Sequence, residues 1–366
     1  MEHFLADLVR AQSRQGDEVL VVVHEHRPGR WSTPERSEGF QLVRLPTVGQ
    51  LLYTPLAPTA PLTLWRLVRR FKPQIIHLHL PNPTAFWFLI LARDRPLVLH
   101  WHADVVPSRL EARINLAYRL YRPFERALLR RARRIIATST PYLATSRPLQ
   151  PFQAKARVIP LGLDPARLYQ PHPAEAEALR RQLGAPLVLT VGRLTYYKGF
   201  SYLIEAMTHL PGARLRLIGR GKLKKFLHQK IKTLKLQDRV ELLPGLGDRE
   251  LHLHLAACEV FCLPSLERTE AFGLVLLEAL AFGRPLVTTA VEGSGMNWIN
   301  RHGETGLVVP PGDSLALARA LGQLLEDEGL RRRLGRGARA RFGQEFHIAQ
   351  VARRIAALYQ EALAPP

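Results

Sequence analysis

Short apolar segments alternate with helical patterns along nearly the whole chain, and this alternation restricts the fold more than any other feature. The segments are rich in Val, Ile and Leu and show little polar alternation, as expected of strands buried on both faces. Strands separated by helices form βαβ units with parallel sheets, so we predict an α/β fold. The predicted strands are 17–24, 40–46, 74–80, 96–102, 133–139 and 156–162, then 185–192, 214–219, 239–245, 259–265, 284–290 and 305–311.

The length of the chain predicts two domains, because 366 residues are too many for one typical core. Three prolines interrupt the segment 162–178, which we interpret as the linker. We therefore predict an N-terminal domain over 1–165 and a C-terminal domain over 166–343. The amphipathic pattern over 344–363 predicts a last helix that packs back on the first domain.

The charge of the chain favours anionic partners. The 52 Lys and Arg residues outnumber the 31 Asp and Glu residues, for a net charge of +21. Nucleic acid, acidic lipid and phosphorylated small molecules all fit such a surplus. The sequence contains no helix-turn-helix, zinc-finger, RNP or P-loop signature, and its arginines are dispersed. A nucleic-acid-binding protein is thus the alternative interpretation and not the main one.

Several features bear on the location of the protein. The apolar run 83–92 is too short to span a bilayer, and the start shows no signal peptide. Cys258 and Cys262 share one apolar segment, which predicts buried thiols in a reducing compartment. We expect a cytoplasmic protein. The basic segment 113–134, with Leu, Tyr and Phe between its arginines, is either a solvated helix or one that lies on an anionic membrane.

The segment 191–199 predicts a diphosphate-binding loop. A strand ends at Val191, Gly192 permits a tight turn, and Arg193 and Lys198 follow. Backbone amides at such a turn can hold phosphate oxygens while the two cations neutralise their charge. The alternative is that both cations are simply solvated.

The segment 267–287 predicts a site for the two ends of a sugar nucleotide. Glu270 precedes a helix that we expect to start near Phe272, and Glu278 lies within it. Eight residues of helix span about 12 Å, comparable to the distance from ribose to hexose. The amides of Gly273 and Leu274 would face the diphosphate. In the alternative interpretation both glutamates are exposed, but the apolar surroundings of Glu278 indicate a buried carboxylate that needs a partner.

The segment 99–106 places His102 and Asp104 at the end of a predicted strand, where ligands bind in α/β folds. A purely structural histidine is the alternative. We interpret the His-Leu-His pairs at 77–79 and 252–254 as ordinary strand and helix histidines, and we predict no metal site. The absence of an Asp-x-Asp motif agrees with a reaction that needs no metal.

Together these segments resemble glycosyltransferase family 4, the retaining transferases of the GT-B fold. The most specific element is the Glu270 to Glu278 pair with Ala-Phe-Gly inside it. The matching pieces cover nearly the whole chain: RAQSRQGDEVLVVV (10–23), HWHAD (100–104), RRIIATS (133–139), RVIPLGLD (157–164), VGRLTYYKG (191–199), LPSLERTEAFGLVLLEALAFGRPLV (263–287) and GETGLVVPPGD (303–313).

The resemblance implies two Rossmann-like domains that face each other across a cleft, with the donor bound by the second. It places Arg193 and Lys198 at the donor diphosphate, Glu278 at the ribose, Glu270 at the transferred sugar and His102 in the active site. The implied donor is a UDP- or GDP-linked sugar, with no further cofactor. The implied acceptor is a glycan or a polyprenyl-diphosphate-linked sugar, in the mannosyltransferases and related enzymes of bacterial surface-polysaccharide assembly.

The start of the sequence departs from the family pattern. Family members usually begin with a strand and a glycine turn, whereas this chain opens with a helical pattern that leads into 17–24. We therefore expect the first strand of the N-terminal domain to be missing, with neighbouring strands left unpaired and a poorly soluble or nearly inactive protein as the result. Two further hypotheses follow: a non-catalytic GT-B subunit, and an enzyme that isomerises a sugar nucleotide without an acceptor.

Overall fold

The computed structural model describes residues 2–27, 35–37, 39–51, 54–105 and 112–365. The chain forms two compact units, and it passes from one to the other twice. The first unit comprises the residues up to Leu161 together with those from Ile348 onward, and the second comprises Gly162–His347. The division at 165/166 that we infer from the sequence lies four residues beyond the first crossing.

Helices and strands are numbered in chain order. Up to the first crossing they are α1 (Glu2–Arg14), β1 (Val19–His24), β2 (Glu35–Ser37), β3 (Phe40–Leu45), β4 (Gly49–Leu51), β5 (Thr54–Leu56), α2 (Ala60–Phe71), β6 (Ile76–Leu80), β7 (Leu97–Trp101), α3 (Ala112–Arg131), β8 (Arg134–Ala137), α4 (Thr140–Thr145) and β9 (Ala156–Val158). Beyond it they are α5 (Pro173–Leu183), β10 (Leu187–Val191), α6 (Phe200–Ala206), β11 (Arg214–Ile218), α7 (Lys224–Thr233), β12 (Val240–Leu243), α8 (Asp248–Ala257), β13 (Val260–Leu263), α9 (Val275–Ala281), β14 (Leu286–Thr289), α10 (Met296–Ile299), β15 (Gly306–Val309), α11 (Ser314–Glu326), α12 (Glu328–Arg341) and α13 (Ile348–Leu363).

The second unit is built on one sheet of six parallel strands in the order β12-β11-β10-β13-β14-β15. All six strands predicted for this half of the sequence are present. The strands β10, β13 and β14 are buried almost throughout, as their continuous apolar runs indicate, with Leu189 and Phe261 as examples. Strand β12, at one edge, exposes Glu241. The strand order reverses between β10 and β13, because β11 and β13 lie on opposite sides of β10. In open α/β sheets, ligands bind at the carboxyl ends of the strands beside such a reversal.

The first unit contains two main sheets instead of the single one that its sequence predicts. Strands β6-β7-β8-β9 form a parallel sheet, and β1 pairs in parallel with β3, on whose other side lies the short antiparallel β2. Within the described part of the chain, β1 and β6 each have a strand partner on one side only. The short strands β2, β4 and β5 were not predicted, since none of their three-residue segments is a continuous apolar run.

The last helix, α13, belongs to the first unit and packs chiefly against α1, with further contacts to β7 and β8. Phe4 and Leu8 of α1 are almost fully buried, as are Val351 and Ile355 of α13. The first and last helices of the described chain therefore share one buried apolar layer.

The two cysteines are unbonded and fully buried, as predicted. Burial raises the pKa of Cys258 to about 12 and also raises the pKa of Cys262. These thiols are part of the core and are poor nucleophiles.

Candidate functional site

The residues predicted to bind a diphosphate lie at the carboxyl ends of β10 and β13, beside the reversal in strand order. Gly192 directly follows β10, and the segment that contains Glu270 follows β13. The fold therefore brings two separate sequence motifs to one edge of one sheet.

The loop after β10 is held tightly against the neighbouring strand β11. The Gly192 amide donates a hydrogen bond to the Ile218 carbonyl at 3.0 Å, and the Leu194 amide donates one to the Arg220 carbonyl at 2.9 Å. A Cβ at Gly219 would lie 1.9 Å from the Gly192 carbonyl oxygen, so only glycine fits there. The backbone of this loop is thus fixed before any ligand binds.

Lys198 and Glu270 form an ion pair between the two motifs. The lysine side chain is 9% exposed and the glutamate side chain 12% exposed. A nearly buried ion pair makes each partner costly to remove, because the other charge is then left unpaired. The ammonium group of Lys198 also lies next to Gly192, since a Cβ at Gly192 would be 3.3 Å from Lys198 Nζ.

Arg193 is exposed, and its guanidinium donates a hydrogen bond to the hydroxyl of Tyr197 at 2.9 Å. A guanidinium on a fixed loop can hold a phosphate group through two parallel hydrogen bonds. Arg193 and Lys198 thus provide one solvent-facing cation and one buried cation on the same loop.

Helix α9 begins at Val275, and not near Phe272 as predicted. Gly273 has a φ of +85°, a left-handed conformation that is not helical. The spacing of about 12 Å that we calculated from helical rise is therefore wrong, because Glu270 lies outside the helix. The Phe272 side chain is 4% exposed and packs edge-on against Phe346 at 6.4 Å, so it belongs to the core. The amides of Gly273 and Leu274 precede the first turn of α9.

Glu278 has the partner that its apolar surroundings require. Its carboxylate lies 3.8 Å from the guanidinium of Arg167, and the two side chains are 18% and 16% exposed. Sequence reasoning missed Arg167 because it lies in the segment interpreted as a linker. The only signal was its position three residues beyond the family-like motif that ends at Asp164.

Ser294 and Gly295, in the segment that follows β14, hold the backbone around Glu270 in place. The Ser294 hydroxyl donates to the Glu270 carbonyl at 2.5 Å, and the Gly295 amide donates to the Ala271 carbonyl at 2.8 Å. The backbone that carries Glu270 is therefore positioned by hydrogen bonds as well as by the ion pair.

In the first unit, His102 is one of four stacked imidazoles, of which His100 and His102 are buried and His77 and His79 are half-buried. His77 and His79 lie on β6, and His100 and His102 lie on and just after β7. The strands pair in register, with His79 opposite His100, and neighbouring ring centroids are 4.4–5.4 Å apart. The interpretation of the 77–79 pair as ordinary strand histidines thus overlooked a cluster of four residues.

Burial lowers the pKa of every histidine in this cluster. The pKa of His79 falls to about 4, and those of His77, His100 and His102 fall well below 6.5 for the same reason, with the neighbouring imidazoles lowering them further. His102 is therefore neutral near pH 7. Its Nε2 lies 2.8 Å from Nδ1 of His79, so one of the two rings donates a hydrogen bond to the other.

A chain of hydrogen bonds supports the far end of the cluster. The Gln12 amide donates to the Tyr359 hydroxyl at 3.0 Å, and that hydroxyl lies 2.6 Å from Nδ1 of His77. The Tyr359 hydroxyl thus links Gln12 to His77, and the tautomer of His77 determines which of the two, ring or hydroxyl, donates. The ring of Phe4 covers the cluster edge-on, 5.4 Å from His100.

The cluster does not fit a metal ion as it stands. His77, His79 and His100 each offer a nitrogen within 4.8 Å of the others. However, the ring planes are 3–21° from parallel, so the nitrogen lone pairs do not converge on one point. An ion would require the rings to turn, and independence from metal stays a prediction.

Asp104 has a structural role in addition to its position after β7. Its carboxylate accepts hydrogen bonds from the Trp101 indole at 2.8 Å and from the Ser146 hydroxyl at 2.6 Å. These bonds fix the turn that carries His102.

Two family profiles divide the chain between them. Residues 1–162 match "Glycosyl transferase 4-like domain", and residues 172–341 match "Glycosyl transferases group 1". The first match covers the N-terminal part of the first unit, and the second lies within the second unit.

Similar proteins are themselves transferases of sugars. The D-rhamnosyltransferase WbpZ of Pseudomonas aeruginosa is 33% identical over 278 residues, which are 75% of this chain and 70% of that protein. The O-antigen chain mannosyltransferase C of Escherichia coli is 29% identical over 94% of this chain and 90% of its own length. The structure of Anabaena HepE in complex with UDP-glucose superimposes with a TM-score of 0.72 and 24% identity, covering 98% of this chain and 95% of HepE.

The profile matches, the identity to WbpZ and the parallel sheets with their motif-bearing loops lead to the same assignment. This chain belongs to glycosyltransferase family 4 and is a glycosyltransferase of the GT-B fold.

Proposed function

We propose that this enzyme transfers a hexose from a nucleoside-diphosphate sugar to a glycan or a lipid-linked acceptor during assembly of a bacterial surface polysaccharide, in the cytoplasm. The O-antigen mannosyltransferase and WbpZ support the class of acceptor and sugar. The HepE complex supports a UDP-linked donor, and a GDP-linked donor is the second candidate.

The ion pair between Lys198 and Glu270, beside the fixed loop at Gly192, carries this proposal. A departing nucleoside diphosphate gains negative charge as the sugar bond breaks. Arg193 and Lys198 neutralise that charge at a position fixed in advance, and such fixed charges stabilise transition states strongly. Glu270 binds the hydroxyl groups of the sugar while it orients Lys198.

The reaction retains the anomeric configuration in this proposal. The acceptor hydroxyl attacks from the face that the diphosphate leaves, and its proton passes to a phosphate oxygen. No metal is needed because the two cations stabilise the diphosphate. His102 is neutral and is therefore not a general base in this proposal; because it is 6% exposed and its Nε2 is bonded to His79, it orients the sugar or the acceptor only if its ring turns outward.

The decisive experiment combines donor binding with turnover. Thermal-shift measurements with UDP-, GDP- and ADP-sugars identify the donor, since a ligand at a hundred times its Kd adds about 2.7 kcal/mol of stability. Lys198→Ala and Arg193→Ala should then weaken donor binding about tenfold or more and lower kcat. Lys235→Ala, outside the proposed site, is the matched control. Unchanged donor binding and turnover in both site variants would refute the assignment.

A second proposal is that α3 places the enzyme on an anionic membrane. Leu116, Leu120 and Phe124 are 63%, 70% and 51% exposed at intervals of four residues, with arginines between them. Apolar side chains beside cations suit the interface of an acidic bilayer. Among the described residues, no helix combines the length and apolar character that crossing a bilayer would require. Flotation with anionic and neutral vesicles tests this proposal, with Leu120→Glu as the variant expected to stay unbound.

A further inference from the structure

A cleft lined by arginines opens at the edge of the six-stranded sheet that faces away from the proposed donor site. Glu259 and Pro285, which directly precede β13 and β14, lie in its wall, and its volume is about 590 Å³. The four residues of β13 span about 13 Å, so the cleft and the loops after β10 and β13 are separated by the length of the sheet. The arginine cleft is defined by Arg180, Arg284, Arg331, Arg332, Arg336 and Arg339.

The cleft contains fewer carboxylates than arginines. Glu259 lies 3.7 Å from Arg180 and also accepts a hydrogen bond from the Leu187 amide, and Glu328 pairs with Arg332 at 2.5 Å. No other acidic residue is found in the cleft lining, among the described residues. Several positive charges therefore face one another without a matching number of negative ones.

Three of the arginines bond to main-chain carbonyls. Arg180 donates to the Ala256 carbonyl at 2.8 Å, Arg284 to the Cys258 carbonyl at 2.9 Å and Arg331 to the Leu324 carbonyl at 2.7 Å. These bonds hold the side chains in position without neutralising them. The Nε of Arg284 is buried and has no hydrogen-bond partner among the described residues. Burial lowers the pKa of Arg284, and the neighbouring Arg180 and Arg339 lower it further.

Backbone packing holds the arginines of α12 close to Arg284. A Cβ at Gly335 would lie 2.5 Å from the Gly283 carbonyl oxygen, so the helix approaches the loop before β14 at a distance that only glycine allows. Arg332, Arg336 and Arg339 recur at intervals of three and four residues, which places them on one face of α12. Like charges at this spacing repel, and an anion between them removes the repulsion.

We propose that the arginine cleft binds a soluble ligand with two or more linked phosphate groups, at a site separate from the donor site. Guanidinium groups bind phosphate through paired hydrogen bonds, and several of them held around one cleft favour an oligophosphate over a single phosphate. The excess of cations over carboxylates in the cleft is then accounted for by one ligand.

Isothermal titration with inorganic triphosphate tests the proposal on the full chain, with the donor nucleotide UDP titrated separately. Arg336 is exposed, so Arg336→Glu is not expected to disturb the fold, and the exposed Arg319→Glu on α11 is the matched control with the same change of charge. We expect Arg336→Glu to weaken triphosphate binding by about tenfold or more, and Arg319→Glu by less than twofold. UDP affinity should be the same in both variants and in the unaltered chain.

Three results would overturn the proposal. The first is equal triphosphate affinity in Arg336→Glu and Arg319→Glu. The second is loss of triphosphate binding in Lys198→Ala, since the triphosphate would then occupy the proposed donor site. The third is binding to vesicles of anionic phospholipid that Arg336→Glu abolishes, without binding of soluble triphosphate, because the phosphate source would then be a lipid headgroup.

Discussion

Four neutral imidazoles, two of them buried and two half-buried, stack in one layer of the first unit, and their removal from water links the stability of that unit to pH. Each folded-state pKa lies below the ordinary value of 6.5, so the unfolded chain binds more protons as the pH falls. As far as these histidines are concerned, the folded state therefore has its full stability above pH 6.5 and loses stability as the pH decreases. For His79 the loss continues down to its folded pKa of about 4.

We expect the free energy of unfolding to fall steeply between pH 7 and pH 5, by up to about 1.4 kcal/mol per pH unit for each buried histidine. Urea denaturation across this range measures the slope. His79→Gln should make the slope shallower by about one proton, whereas the exposed His228→Gln should leave it as it is. Equal slopes in all three proteins would mean that His79 binds its proton equally well in the folded and unfolded states.

The pair of Glu278 and Arg167 gives a second prediction at the scale of residues. If Glu278 binds the ribose of the donor, Glu278→Gln should raise the Kd for UDP or GDP about tenfold, because a charge-assisted hydrogen bond is lost. Glu267→Gln, an exposed carboxylate ahead of Glu270, is the control. A Kd that changes equally in both variants would argue against contact between Glu278 and the ribose.

The residues of the candidate site could be predicted one by one from their motifs, but their partners could not. Lys198 and Glu270 belong to different motifs, and their ion pair depends on β10 and β13 being neighbours. The histidine cluster depends in the same way on the register that sets His79 opposite His100. Strand order and register arise from tertiary packing, which a local sequence pattern does not predict.

At the scale of elements, the buried strands are the part of the fold that the sequence predicts best. A strand that is covered on both faces forms a continuous apolar run, so it can be recognised without knowing which strands lie beside it. The start of α9 was misplaced because the apolar pattern continues through Gly273, whose positive φ ends the extended segment before the helix. A glycine in an apolar run can adopt either a helical conformation or one with a positive φ, and tertiary packing determines which of the two is present.

Gly273 provides a test of this local geometry. A Cβ there would lie 3.0 Å from Leu276 Cδ1 in a left-handed conformation, so Gly273→Ala should lower the free energy of unfolding by about 1–2 kcal/mol. Gly247→Ala is the matched control, because its φ is −72° and no atom lies within 4 Å of the added Cβ. Thermal denaturation of the two variants measures the difference, and equal Tm values would contradict the assigned backbone conformation.

The edge of β6 that has no strand partner among the described residues leads to a prediction about hydrogen exchange. The amides of β6 that do not bond to β7 should exchange with solvent deuterium faster than those of β7, which lies between two strands. Hydrogen exchange measured by mass spectrometry on the peptides 76–80 and 97–101 tests this expectation. Equal protection of the two strands would mean that another part of the chain covers the edge of β6.

At the scale of the whole molecule, the two units have separate cores, and α13 completes the first one. Removal of residues after His347 should therefore abolish the thermal transition of the first unit and preserve that of the second. Calorimetry of the full and shortened chains measures both transitions. Loss of both would show that the second unit depends on α13 for its own stability.

The position of α13 also has a consequence during synthesis. The first unit needs the final helix against α1, yet the whole second unit leaves the ribosome between them. At usual elongation rates this delay lasts roughly 10 to 40 s. Throughout that time, Phe4 and the neighbouring imidazoles lack the cover that Tyr359 and its helix later provide. The nascent chain thus displays an unfinished apolar surface of the kind that chaperones bind, and the second unit is the first that can finish folding.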